Sequence, residues 1–108
     1  MNTDFLKKEF LNKYVALGAD KFYHALLFYS VKRMVLNKEN TKTLPINLEL
    51  LEFHDQFIIL YRREGDPKYL EVAKLLRKAA HKIYRIMLKK ELTNVNDKFL
   101  NLVKNGSN

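Results

Sequence analysis

Apolar residues recur at steps of three and four over most of this chain. Tyr69, Val72, Ala73, Leu76, Ala80, Ile83 and Met87 form one such series, Leu50, Phe53, Phe57 and Leu60 a second, and Leu6, Phe10, Tyr14 and Leu17 a third. That spacing places side chains on one face of an α-helix and gives each helix an apolar stripe for a core. No segment alternates with period two over a useful length. The run FIILY, residues 57–61, has strand-like composition but continues a helical stripe in both directions, so it is read as helix.

Punctuation falls between the stripes. Gly18 reads as a helix C-cap, and Asp20 as the N-cap of the next helix. Pro45 stands in NKENTKTLPIN, residues 37–47, a polar stretch that reads as a connection long enough for a crossover or a partner-contacting loop, with Asn47 as a further N-cap. Gly65 ends the third helix. Asp66 followed by Pro67 is a start signal: a capping carboxylate, then a proline where a missing N–H costs nothing. Thr93 or Asn94 opens a short last helix in this reading. The expectation is a compact, single-domain, all-α bundle over residues 1–108, with helices at about 3–17, 20–37, 47–64 and 67–92 and a short C-terminal fifth at about 95–104.

The second helix departs from the amphipathic pattern. Between Phe22 and Leu36 only His24, Ser30, Lys32 and Arg33 are polar, and they point in different directions around the axis. A helix that is apolar all round must be covered all round. Either it is the central element of the bundle or another chain covers part of it.

Composition narrows the class. The chain has 108 residues and no cysteine, so disulfides, thiolate metal sites and cysteine nucleophiles are out. It is long enough to bury a core without staples. Its opening, MNTDFLKKEF, mixes acids and bases without an apolar run, so no signal peptide is expected. The longest nearly apolar run, FYHALLFYSV, falls short of the ~20 residues of a membrane span. A cytoplasmic protein is the expectation.

Charge changes the picture most. The formal net charge is +8, and KLLRKAAHKIYRIMLKK, residues 74–90, holds seven Lys or Arg and no acid. At 100° per residue, Lys74, Lys78, His81, Lys82, Arg85 and Lys89 fall opposite the apolar stripe, with Arg77 at the edge. Such a face extends ~22 Å and can run beside several phosphates. It lacks the Asn and Gln that pair with adenine edges, and the first helical turns offer only Pro67, Lys68 and Glu71, so backbone contact is expected rather than base reading. The competing use of the charge is internal. Antiparallel packing of the third and fourth helices would set Glu49, Glu52 and Asp55 near Lys82, Arg85 and Lys89 in weak exposed pairs.

Other chemistry finds little support. His24, His54 and His81 lie on three different helices, without HxxxH or HExxH spacing, and no metal or cofactor is expected. No glycine pattern for nucleotide phosphates occurs, and no small-molecule substrate is evident. RKAAH, residues 77–81, is similar to the Arg…His pair of HEPN-type helical ribonucleases, which usually has more residues between the two, and the pattern is not taken as membership. It leaves a small ribonuclease, with Arg77 as charge stabiliser and His81 as base, as a third reading. The first is a non-catalytic binding protein that holds nucleic-acid backbone through Lys74, Arg77, Lys78, His81, Lys82, Arg85 and Lys89. The second is an assembly or interaction subunit, a homo-oligomer or adaptor, that uses the apolar surplus of helix 20–37 and an acidic partner surface.

Overall fold

A computed structural model describes residues 3–36 and 45–106, with side chains described through residue 34 and from 45 to 89. The expected connection at 37–47 lies largely outside the described residues. The chain is an all-α helical bundle, and no strand occurs among the described residues.

Four helices make it. In α1, the α-helical segments Thr3–Leu6 and Asn12–Leu17 flank a π-helical turn, Lys7–Leu11, whose wide pitch is marked by the Asn12 N–H donating to the Lys7 carbonyl. Helix α2 is Ala19–Leu36, α3 is Ile46–Glu64 and α4 is Pro67–Gly106. Of the expected α1 stripe, Leu6 is fully buried and Phe10 and Tyr14 pack against the core, while Leu17 beside the corner is exposed.

The turns show how local chemistry sets the ends. Gly18, at φ 84°, closes α1 with its N–H on the Tyr14 carbonyl at 2.9 Å, and its own carbonyl accepts from Phe22. Helix α2 therefore begins at Ala19, and Asp20 lies inside the first turn rather than at the cap, its charge facing the positive end of the helix dipole. Pro45, not Asn47, precedes α3. Its carbonyl accepts from the N–H groups of Leu48 and Glu49, and Asn47 is carried into the helix, where its side-chain oxygen is buried without a hydrogen-bond partner among the described residues. Gly65 takes the left-handed conformation at φ 75° and ends α3 as expected, its N–H on the Tyr61 carbonyl at 2.8 Å. Asp66 then caps α4, its carboxylate accepting from the Lys68 N–H at 3.0 Å.

The tight turn folds α3 and α4 into an antiparallel pair that supplies most of the core. Leu50, Phe53, Phe57 and Leu60 of α3 and Tyr69, Val72, Ala73, Leu76, Ala80 and Ile83 of α4 are all buried, as their spacing predicts. The alanines, including the buried Ala79, let neighbouring helices approach closely. Phe10 of α1 meets Phe53 at 4.9 Å and Phe22 at 6.4 Å between ring centroids, which joins three helices through aromatic contacts. Lys7 reaches Glu64 at 3.1 Å, and the Tyr14 hydroxyl donates to Glu71, so α1 straddles the α3–α4 turn.

Two expectations change. Helix α2 is not the central element. Phe22, Leu26 and Ser30 form its buried line, with Ser30 satisfied by the Leu26 carbonyl at 2.7 Å, while Phe28, Tyr29 and Val31 are exposed. The short fifth helix does not exist as a separate element, because α4 runs unbroken for 40 residues through Thr93 and Asn94. Interior Thr and Asn cost at most ~0.7 kcal/mol each in helix propensity, and no Gly or Pro interrupts the chain between Leu88 and Gly106. The continuous helix stretches the molecule to 66 Å by 27 Å by 22 Å.

Candidate nucleic-acid interface

The buried stripe of α4 fixes which residues face water. With Val72, Leu76, Ala79 and Ile83 turned into the core, the opposite side carries Lys74, Arg77, Lys78, His81, Lys82, Arg85 and Lys89, and all seven are exposed. Lys74 and Lys89 are fifteen positions apart, ~22 Å along a helix axis. The surface expected from the spacing is therefore present as one face.

At Lys82 and Arg85 the electrostatic surroundings differ from the expected internal neutralisation. Glu49 is committed elsewhere: its carboxylate accepts from Arg33 of α2 at 2.9 Å. That contact, with a second donation from Arg33 to the Tyr29 hydroxyl at 2.8 Å, raises the guanidinium pKa further above its ordinary value. Asp55 contacts the ring of its neighbour His54 at 2.9 Å. Among the described residues no ion pair engages Lys74, Arg77, Lys82 or Arg85.

Lys78 stands apart from the other cations. Its ammonium sits 4.5 Å from the centroid of the Tyr23 ring of α2, a cation–π contact that spends part of its charge on the α2–α4 junction. One residue missed in the sequence belongs to the face. Tyr84, with Leu88 beside it, is half exposed on the flank that also carries Arg77 and His81. The missed signal was positional: Tyr84 follows Arg77 by seven residues and lies off the apolar stripe, so its ring is free of the core. An exposed ring among cations is a surface on which a base can stack.

The remaining candidates stay dispersed. No group of three or more His, Asp or Glu that could hold a metal ion occurs among the described residues. His81 and Arg77 share the exposed face without a carboxylate partner among the described residues. No described helix is long and apolar enough to cross a membrane.

A second surface feature lies across the molecule. Helices α1, α2 and α3 enclose an open pocket of ≈ 170 Å³, walled by aromatic rings and rimmed by Glu9, Lys13 and Glu49. No protein-family model, curated protein or solved structure matches the chain.

Proposed function

We propose that the protein is a non-catalytic nucleic-acid-binding protein that grips phosphate backbone through the exposed face of α4. The observation that carries this reading is the row Lys74, Arg77, Lys82 and Arg85, exposed on one helix and outside every described ion pair. From Lys74 to Arg85 these cations extend over ~16 Å of helix, a length that can run beside several phosphates, and their counterion release supplies affinity without sequence preference. Tyr84 adds a stacking surface, which favours single strands over duplex.

The test is a salt titration of binding to unrelated single-stranded and duplex oligonucleotides. Wild type should show log K falling with log salt at a slope of roughly −4 to −5 on duplex for four to six phosphates engaged. Lys82→Glu with Arg85→Glu should weaken binding to every sequence alike and flatten the slope. No binding even at low salt would remove the reading.

An assembly role for α2 is the second reading. It rests on Phe28, 73% exposed in the middle of a helix.

A further inference from the structure

We infer that the exposed face of α4 is divided lengthwise into a phosphate track and a base track, and that Tyr84 on the base track selects unpaired nucleic acid over duplex. This assignment rests on the nucleic-acid reading of α4 proposed above and adds the discrimination between strands. At ~100° per residue, Lys74, Lys78, Lys82, Arg85 and Lys89 fall within ~80° of one another around the axis. Arg77, His81 and Tyr84 fall within a second sector of ~60°, about a quarter turn away, with Leu88 among them. Both rows are exposed from end to end.

The two rows differ in chemistry. The first is lysine except for Arg85, and lysine ammonium groups are compact point charges that suit phosphate oxygens. The second carries a guanidinium, an imidazole and a phenol at steps of four and three residues, all of them planar and on one line of the helix. Planar groups of these kinds are the surfaces on which unstacked bases lie. Tyr84 is 51% exposed, and neither its ring nor that of His81 meets another aromatic ring among the described residues. Arg77 is outside the described ion pairs. The outer surface of the second row is therefore open to a ligand.

Charge and planarity together choose the occupant. No acid occurs from Lys74 to Lys90, so an anion is what this face attracts. A duplex engages the lysine row and leaves the planar row idle, because its base faces are covered by their stacked neighbours and only base edges reach the grooves. A single strand satisfies both rows: its backbone follows the lysines while a splayed base lies on Tyr84. Affinity for it then has a salt-dependent part from the lysine row and a part nearly independent of salt from the stack.

Binding titrations of the full chain with a single-stranded oligonucleotide, its duplex and the same strand made abasic test the assignment. Tyr84→Ala alters an exposed position and leaves the fold intact. It should weaken single-strand binding about 10-fold at every salt concentration, keep the salt slope, and leave duplex binding unchanged. Arg77→Lys keeps the charge, removes the plane, and should act in the same direction. Tyr84→Phe should retain wild-type affinity. The chain has no tryptophan, so Tyr84→Trp places a lone indole on the base track. Its fluorescence should be quenched by the intact single strand and not by the duplex or the abasic strand. Equal single-strand affinity in wild type and Tyr84→Ala, with the slope preserved, overturns the base track and leaves the backbone reading standing. No binding of any oligonucleotide at low salt overturns both. Tighter binding to phosphatidylserine vesicles than to any strand also overturns the base track and assigns the face to a membrane surface.

Discussion

Arg33 and Glu49 form a 2.9 Å ion pair, mostly shielded from solvent, that binds α2 to the first turns of α3. The pair commits to α2 one of the three α3 carboxylates that the sequence sets near the late cations of α4. It also leaves each partner dependent on the other, because a half-buried charge without its counterion pays for lost hydration. Arg33→Ala should therefore destabilise by about 1–3 kcal/mol, more than an exposed pair is worth. Arg33→Met with Glu49→Gln should recover much of the loss. Urea denaturation of the three variants measures it.

Leu76 and Lys78 sit two residues apart on α4 with opposite surroundings. Leu76 is fully buried, and Leu76→Ala should cost about 2–5 kcal/mol. Lys78→Ala loses only a cation–π contact with Tyr23, worth ~0.5–1 kcal/mol at an exposed site. Equal losses in thermal or chemical denaturation would contradict the rotation of α4 described above.

Gly65 holds φ at 75°, a conformation that side chains avoid. No atom lies within 4 Å of an added Cβ, so the cost of Gly65→Ala is backbone strain alone, about 1 kcal/mol. The α3–α4 pairing should survive. A neutral or stabilising result would mean that the turn relaxes out of the left-handed region.

Tyr14 gives a pH signature. Its hydrogen bond to Glu71, then burial, push the phenol above the ordinary tyrosine range. A group whose folded pKa is raised contributes its stability fully below the unfolded value, about pH 10, and loses it as pH climbs through the folded value. Lys7 shifts the same way through its hydrogen bond to Glu64. Wild type should thus exceed Tyr14→Phe in stability by less than about 1 kcal/mol at neutral pH, the pair being solvent-exposed. The difference should vanish in strongly alkaline buffer. Melting curves of the two proteins from pH 7 to 11 check the sign.

The stripes of α3 and α4 were legible because each helix buries one side and leaves the opposite side to water, the condition under which a three-and-four spacing has a single meaning. The basic face followed from the same rotation. Helix α2 was harder. Its even spread of apolar residues records two apolar neighbourhoods, the core line Phe22–Leu26–Ser30 and the outward side at Phe28, and periodicity cannot say which side is covered. Asn47 and Asp20 were read as caps from residue type alone, whereas Pro45 and Gly18 had already set the helix starts one residue earlier. Thr93 and Asn94 look like a start signal only if the preceding helix ends, and nothing in the backbone chemistry there ends it. The partner of Glu49 was illegible because it depends on how α2 lies across α3, a relationship with no local sequence mark.

The clasp of α1 over the α3–α4 turn has a kinetic consequence. Lys7 to Glu64 and Tyr14 to Glu71 both span 57 residues, whereas the α3–α4 pair closes through a turn of two. Closing the longer loop costs more chain entropy, roughly (3/2)RT ln n for n residues, before any contact repays it. The hairpin should therefore form early in folding and the clasp late. Weakening Tyr14 or Lys7 should then speed unfolding and leave the folding rate nearly unchanged, whereas Leu76→Ala slows folding itself. The first helix in the chain is thus the last to arrive, acting as a latch on a core that its neighbours have already assembled.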